Sequence, residues 1–141
     1  RELGIAITAY GVLSRGLLSG HWSKDRALPK NDFRAWLPRF GGENLEKNLA
    51  LVETLGALAR EKGTTVAGLA TAWVLSRGED VVPLVGARRR DQLAESLRAL
   101  EVRLTADDLG RIEKAVPRGA AAGDRYPTPL MAHLDSERRS G

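Results

Sequence analysis

Two short apolar runs and four helical stripes account for most of the hydrophobic positions along this chain. The runs, residues 5–10 and 81–85, are too short for buried helices and end at Gly11 and Gly86. Each therefore predicts a short strand that is buried on both faces. Because predicted helices lie between the two strands, we expect the strands to be parallel.

Helical spacing of apolar side chains is clear in the central and C-terminal parts. Leucine and valine residues three and four positions apart predict a helix over 45–62, and an apolar segment predicts a second, deeply packed helix over 65–76. Regularly spaced leucines predict a third helix that begins near Asp91. Thr105 and Asp108 have the spacing of a capping box, which predicts the start of a fourth helix.

Two segments have no clear hydrophobic period. Residues 21–43 are expected to form a long loop with room for a helical turn, and loops of this length often carry function. Residues 118–141 are rich in glycine, alanine and charge, so we expect a tail that is extended or only loosely ordered. This pattern divides the chain into a structured part, 1–117, and the tail.

Composition excludes several classes of site. None of the 141 residues is cysteine, which rules out a disulfide scaffold, a thiol nucleophile and a cysteine-ligated zinc. The only histidines, His21 and His133, lie far apart, so we expect no metal site. With 22 Lys and Arg against 18 Asp and Glu, the net charge of +4 permits an anionic ligand, but the charge is too diffuse to predict nucleic-acid binding.

The chain ends give an expectation about location and completeness. No apolar stretch approaches the roughly 18 residues that a membrane helix needs, and the first residues lack a signal-peptide pattern. We therefore expect a cytoplasmic protein without a membrane partner. The only methionine is Met131, so we also expect that the chain lacks its natural N-terminus.

The end of the second strand carries the strongest chemical signal. Gly86 would let a ligand approach the backbone, and Arg88, Arg89 and Arg90 precede the helix that begins near Asp91. Free N–H groups at a helix N-terminus and nearby guanidinium groups together suit a phosphate. From the pattern alone, a solvated basic turn is an equally open interpretation.

Tyr10, at the end of the first strand, could stack on a flat ligand, donate a proton or simply pack. A DNA-binding interpretation also arises, because helices 45–62 and 65–76 are separated by a short turn. A recognition helix needs polar residues at its N-terminal end, whereas this one begins Val66-Ala67-Gly68, a surface that belongs in a core. We therefore expect no nucleic-acid partner.

Two segments of the chain resemble the aldo-keto reductases. Residues 9–20, AYGVLSRGLLSG, resemble that family's AYSPLGRGLLTG segment. Residues 82–88, VPLVGAR, with Gln92-Leu93 and Glu95-Ser96-Leu97 after them, resemble its IPIPGTRK…RLEEN segment. The order and spacing of the two segments fit as well, and the resemblance extends over residues 1–117.

The resemblance implies an α/β protein with the (β/α)8 TIM-barrel fold. Such a barrel takes roughly 250 residues, and two strands cannot close one. The strand that ends at Tyr10 would be the seventh barrel strand, and residues 81–85 would be the eighth. The family binds NADPH and reduces aldehydes and ketones to alcohols by hydride transfer.

The resemblance also implies a set of residues that bind NADP(H). Tyr10 would stack on the nicotinamide ring, and the loop after it would follow the pyrophosphate. Residues 86–88 would hold the 2′-phosphate and ribose, and three residues of the following helix would surround the phosphate and adenine. The full set is Tyr10, Gly11, Val12, Leu13, Arg15, Gly86, Ala87, Arg88, Gln92, Glu95 and Ser96.

This sequence departs from the family pattern at three places. Gly11-Val12 replaces the usual serine-proline pair, Val85 replaces the proline before the glycine, and Gln92 stands where arginine is frequent. The last change weakens the implied phosphate clamp. NADP remains favoured over NAD.

By the same resemblance, the catalytic aspartate, tyrosine, lysine and histidine come from early strands that would lie upstream of Arg1. We therefore expect no catalytic residue in this chain, and no reductase activity from it alone. The loops 21–43 and 118–141 would line the mouth of a site for a small carbonyl substrate. Aromatic residues that could contact substrate there are Trp22, Trp36 and Tyr126.

A second interpretation comes from a different functional class. Some members of the family act as regulatory subunits of channels. A chain with the cofactor segments alone could therefore act as a non-catalytic regulatory or interaction module.

Overall fold

A computed structural model describes residues 1–134 of the chain. Among these residues, two strands and the first four helices follow one another in the order predicted from the sequence, and a fifth, short helix lies in the segment expected to be a tail. Their bounds are β1 Ile7–Ala9, α1 Gly42–Glu61, α2 Val66–Leu75, β2 Val81–Pro83, α3 Arg90–Arg98, α4 Ala106–Ala115 and α5 Thr128–Met131. Short 3-10 segments lie at Ser14–Ser19, Phe33–Trp36, Pro38–Phe40 and Ala99–Glu101.

The two strands form a parallel sheet, as predicted. Ile7 pairs with Val81, and the ladder continues to Ala9 opposite Pro83. Beyond the last pair, the Leu84 N–H donates to the Ala9 carbonyl at 2.9 Å. The carboxyl ends of both strands therefore lie side by side at one edge of the sheet.

The prediction that both strands are buried on two faces is wrong for this chain. The side chains of Ile7 and Val82 are 57% and 53% exposed, and Leu84 is similarly open. The reason is that each strand pairs only with the other among residues 1–134, so the outer edges have no neighbouring strand. A continuous apolar run is typical of a strand inside a larger sheet that is covered on both faces. A sheet of two strands is too small to bury such side chains.

The core lies between the helices rather than around the sheet. One cluster joins Leu45 and Val52 of α1 to Phe40 and Leu17. A second joins Leu55 and Ala59 of α1 to Leu69 of α2 and Ile112 of α4. Helix α2 is buried along Ala67, Gly68, Leu69, Thr71 and Ala72, which agrees with the deep packing predicted for it.

Threonine side chains cap the N-terminal ends of α2 and α4. The Thr65 hydroxyl accepts a hydrogen bond from the Gly68 N–H at 3.0 Å and starts α2. At the start of α4, Thr105 and Asp108 form the predicted capping box: the Thr105 hydroxyl accepts from the Asp108 N–H, and Asp108 Oδ2 accepts from the Thr105 N–H at 2.8 Å. Lys62 donates to the same carboxylate at 2.7 Å and so joins α1 to α4.

The tail is more ordered than predicted between residues 120 and 126. Asn48 of α1 is only 2% exposed, and its amide bonds to both backbone groups of Ala122. The Arg39 guanidinium donates to the Gly123 carbonyl at 3.1 Å. The composition predicted loose order because glycine and alanine side chains bury little surface. In the structure, the buried Asn48 amide on α1 provides hydrogen-bond partners for the tail backbone. Residues 135–141 of the predicted tail lie outside the described residues.

Candidate functional site

The ends of the two strands open into one cleft of about 440 Å³. One wall consists of residues from the loop after β1, and the other of residues after β2. Residues 10–13, 15, 16 and 19 form the first wall, and residues 84–86 and 92 form the second. Two segments about 70 positions apart in the sequence are therefore brought together by the parallel pairing of β1 with β2.

Tyr10 and Gly11 form the first wall next to the sheet. The Tyr10 side chain is 73% exposed, so its ring is free to cover a flat ligand. Gly11 has a φ of +76°, a conformation that favours glycine, and a Cβ added there would meet no atom within 4 Å. An added Cβ at Gly86, on the opposite wall, would also project into open space. The backbone on both sides thus has room for a ligand to approach.

Gln92 organises the second wall. Its side-chain Oε1 accepts hydrogen bonds from the backbone N–H groups of Arg88 and Arg89, at 2.9 and 3.2 Å. These bonds fix the turn between β2 and α3, which begins at Arg90. Where the family often has arginine, glutamine here acts on the turn through its amide oxygen.

The three consecutive arginines have different surroundings. The Arg89 guanidinium pairs with Asp91 at 2.9 Å, and this hydrogen bond lowers the pKa of the Asp91 carboxyl and raises the pKa of Arg89. Arg88 and Arg90 are exposed and form no ion pair with any of residues 1–134. A phosphate at the start of α3 would therefore find Arg88 and Arg90 available, while Arg89 is already neutralised.

Four of the implied cofactor residues do not line the cleft: Ala87, Arg88, Glu95 and Ser96. Ala87 and Arg88 are exposed on the turn between β2 and α3. The Ser96 hydroxyl donates to the Gln92 carbonyl at 3.0 Å, one turn earlier in α3. Glu95 lines a separate depression with Lys62 and Arg98, on another side of α3.

The loop of the first wall adopts a strained backbone. Ser14 and Arg15 have φ values of +46° and +56°, in the left-handed region that residues other than glycine rarely occupy. The Arg15 carbonyl accepts a hydrogen bond from Arg34 Nη1 at 3.3 Å. Arg34 is itself held by Asp32, and this contact lowers the pKa of the Asp32 carboxyl to about 2.

The aromatic residues predicted to line a substrate mouth fall into three environments. Trp22 packs on Phe40 of the core, with ring centroids 4.8 Å apart. Trp36 is 77% exposed and remains available to a ligand. Tyr126 is half-buried against the guanidinium of Arg15, at 4.4 Å from the ring centroid. Trp36 is therefore the one exposed residue of the three, and it does not line the cleft between the strand ends.

The described residues contain neither a metal-binding cluster nor a membrane-spanning helix. Among residues 1–134, no three His, Asp or Glu side chains are grouped closely enough to hold a metal ion. Within the same part of the chain, every helix is too short or too polar to cross a bilayer.

Comparison with known proteins decides the family. The sequence model of the aldo/keto reductase family matches residues 1–117. The chain belongs to the aldo/keto reductase family. The match ends two residues after α4, which ends at Ala115.

Individual relatives in this family span much longer chains. The chain is 44% identical over 126 residues to probable aldo-keto reductase 1 of Glycine max, and 36% identical over 127 residues to the Schizosaccharomyces pombe aldo-keto reductase yakc, whose name specifies NADP(+). The two matches include 89% and 90% of this chain but only 36% and 37% of the relatives' own lengths. This aldo/keto reductase chain thus spans little more than a third of their length.

A solved structure resembles the fold as well. The glycerol dehydrogenase of Gluconobacter oxydans matches with a TM-score of 0.73 and 34% identity, over 80% of this chain and 34% of that one. The resemblance supports the predicted α/β class and the barrel architecture of the family. The assignment of β1 and β2 as the seventh and eighth barrel strands stays a prediction.

The sequence analysis did not identify the residues that fix the first wall and the tail by hydrogen bonds. Asp32 and Arg34 fix the loop backbone, and Asn48 fixes the tail. An aspartate two positions before an arginine could have predicted this pair, because aspartate often accepts a hydrogen bond from the backbone N–H two residues later. Asp32 accepts from the Arg34 N–H in this way. Asn48 gave a weaker signal: a lone polar residue beside the apolar stripe of a helix.

Proposed function

We propose that this chain supplies the NADP(H) site of an oxidoreductase that reduces aldehydes or ketones to alcohols. The observation that carries the proposal is the single cleft formed by the ends of β1 and β2, with α3 beginning beside it. In the proposed barrel, β1 and β2 are the seventh and eighth strands. Their carboxyl ends form the face where barrel enzymes bind ligands.

The residues of the cleft, and of the turn beside it, suit the parts of a nicotinamide dinucleotide. The exposed Tyr10 ring provides a surface for the nicotinamide, and the open backbone at Gly11, with Val12 and Leu13 after it, provides a path for the pyrophosphate. The Arg88 guanidinium and the free N–H groups of α3 suit the 2′-phosphate of NADP(H). Bound NADPH would supply the hydride.

The chain's own contribution is to bind and orient rather than to transfer protons. Tyr10 faces the cleft from the end of a strand, and Tyr126 packs against Arg15, so neither is assigned as the proton donor. By the family pattern, the donor is a tyrosine of an earlier strand. We therefore expect that the 141-residue chain binds NADPH but does not reduce carbonyl compounds.

A titration of the purified chain with NADPH, followed by nucleotide fluorescence, tests the site. NADH is titrated in parallel, and far-UV circular dichroism confirms that the helices are formed. We expect saturable binding that is tighter for NADPH. A folded chain that binds neither nucleotide would contradict the proposed site.

Substitutions at Tyr10 sharpen this test. Tyr10→Ala removes the stacking surface and should weaken NADPH binding by about tenfold, which corresponds to the loss of one aromatic stacking contact. Tyr10→Phe keeps the ring and should retain the affinity of the parent. Equal loss in both variants would show that the hydroxyl, rather than the ring, makes the contact.

One observation favours the alternative of a non-catalytic regulatory or interaction module. Large apolar side chains are exposed on or next to the two strands, along α3 and in the 3-10 segment after it: Ile5, Ile7, Val82, Leu84, Leu93, Leu97 and Leu100, each between 49% and 62% exposed. Exposed apolar patches often mark contacts between protein elements. NADPH oxidation that depends on an added aldehyde, by a chimera that joins this sequence to the N-terminal part of a relative, would favour the enzyme over the module.

A further inference from the structure

The loop of the cofactor cleft is held in its strained conformation from outside the cleft. Ser14 and Arg15 both have positive φ, in a segment that would otherwise relax toward the ordinary helical or extended regions. A backbone of this kind persists only when surrounding contacts fix it. The contacts that fix Arg15 therefore control the shape of the first wall.

Two groups of contacts converge on Arg15. Arg34 donates to its backbone carbonyl at 3.3 Å. The Arg15 guanidinium carbon lies 4.4 Å from the ring centroid of Tyr126 and 5.7 Å from that of Phe33, which are both cation–π distances. One aromatic partner comes from the long loop and the other from the tail.

The tail segment that carries Tyr126 is itself anchored on the helical core. Asn48 bonds to both backbone groups of Ala122, and Arg39 donates to the carbonyl of Gly123. Gly123 lies so close to the Pro38 carbonyl that a Cβ there would be 3.0 Å from its oxygen. Tyr126 follows this anchor by three residues, so its ring is presented to Arg15 from a fixed position.

We propose that Arg15 is a positioning residue through which Tyr126 of the tail sets the affinity of the cleft for the nucleotide. The inference rests on the proposed NADP(H) site. The Tyr126 ring fixes the Arg15 guanidinium, and Arg15 in turn fixes the loop of the first wall. The loop is then already shaped for the pyrophosphate before the nucleotide binds. A preformed loop avoids the ordering cost that a mobile loop would impose on binding.

An alternative role for Arg15 is direct contact with a phosphate, because part of the residue also lines the cleft. The two roles make different predictions for Tyr126. If the guanidinium binds phosphate by itself, removal of the Tyr126 ring frees it and binding is unchanged or tighter. If the ring positions the loop, its removal weakens binding.

The test compares NADPH dissociation constants of the parent chain, Tyr126→Ala and Tyr126→Phe. Tyr126→Ala should weaken NADPH binding by about tenfold, the effect of losing one well-formed cation–π contact. Tyr126→Phe keeps the ring and should bind like the parent, a rescue that separates positioning from any role of the hydroxyl. Thermal unfolding of each variant, followed by circular dichroism, separates an altered loop from an unfolded protein.

A matched control removes a similar contact elsewhere. The Arg77 guanidinium carbon lies 4.5 Å from the Trp73 ring centroid, and Arg77 does not line the cleft. Arg77→Gln should leave the NADPH dissociation constant unchanged, whatever its effect on the unfolding temperature. A similar loss in this variant would show that general destabilisation explains the result.

Each outcome decides between the claims. Unchanged or tighter NADPH binding by folded Tyr126→Ala would overturn the positioning role and leave the proposed cofactor site intact. A folded parent chain that binds no NADPH would overturn the cofactor site, and the positioning role with it. If Tyr126→Ala does not fold, Tyr126→Leu, which keeps the apolar bulk but lacks the aromatic face, should still weaken binding; parent-like affinity would overturn the inference.

Discussion

The side chain of Asn48 satisfies both backbone groups of Ala122. Its Nδ2 donates to the Ala122 carbonyl at 3.0 Å, and its Oδ1 accepts from the Ala122 N–H at 2.8 Å. The same Nδ2 also donates to the Arg39 carbonyl at 3.1 Å. A single buried amide therefore joins α1, the long loop and the tail 74 residues later in the chain.

Replacement of this amide should be costly. Asn48→Ala leaves three backbone groups without their partner, so we expect the free energy of unfolding to fall by about 2–4 kcal/mol. Urea unfolding followed by circular dichroism measures the change. Asn31, an exposed residue of the long loop, provides the control: Asn31→Ala should stay within about 0.5 kcal/mol of the parent. Similar values for both variants would refute the anchoring role of Asn48.

The two tail glycines offer a matched pair. Gly119 and Gly123 have nearly the same φ, +83° and +80°, but an added Cβ meets nothing at Gly119 and comes within 2.9 Å of the Pro38 backbone at Gly123. Gly119→Ala should cost about 1 kcal/mol in stability from backbone strain alone. Gly123→Ala should cost roughly 1–3 kcal/mol more, because overpacking adds to the strain. Equal unfolding midpoints in denaturant would show that the tail is not packed at Gly123.

The link between α1 and α4 should appear as a pH dependence. The hydrogen bond from Lys62, followed by those from Thr105, lowers the pKa of Asp108 from 3.8 to about 2. A lowered folded-state pKa contributes stability that is present above about pH 4 and is lost as the pH falls through about 2. Lys62→Met should therefore lose less stability than the parent across this window.

Urea midpoints at several pH values across that window measure this effect. Lys47→Met is the control, since Lys47 forms an exposed pair with Glu43 at 3.5 Å that should contribute little. It should keep the parent's pH dependence. An unchanged pH dependence in Lys62→Met would show that Lys62 does not govern the ionisation of Asp108.

The ion pair at the start of α3 should oppose nucleotide binding. Asp91 places a carboxylate beside the proposed phosphate site and occupies Arg89 at 2.9 Å. Asp91→Asn removes that negative charge and frees Arg89, so we expect roughly threefold tighter NADPH binding at low salt, with a smaller effect at high salt. Asp107→Asn, in the first turn of α4, is the matched control and should leave binding unchanged. Weaker NADPH binding by Asp91→Asn would refute this electrostatic assignment.

The order of the elements and their caps could be predicted from the sequence because both are local. Thr105 and Asp108 lie three positions apart, and their reciprocal hydrogen bonds need no distant partner. Parallel pairing of β1 with β2 followed from the helices between the strands. The convergence of Tyr10 and Gly86 on one cleft then follows from that pairing.

The burial of the strands and the order of the tail could not be predicted in the same way. An apolar run such as Ile5 to Tyr10 has the composition of a buried strand whether or not its neighbours are present. The tail depends on Asn48, and no local pattern connects that residue to Ala122. The contact between Arg15 and Tyr126 could not be predicted for the same reason. The two residues lie 111 positions apart, and the tail is brought to Arg15 by the hydrogen bonds of Asn48.

The most direct test of the central claim is the ratio of NADPH to NADH affinity in the parent chain and in Arg88→Gln. If the cleft binds the dinucleotide with its 2′-phosphate at Arg88, the parent should favour NADPH by about tenfold or more, the contribution of a charge-assisted phosphate contact. Arg88→Gln should bring the ratio close to one while NADH affinity stays the same. An NADPH preference that survives in Arg88→Gln would contradict the account.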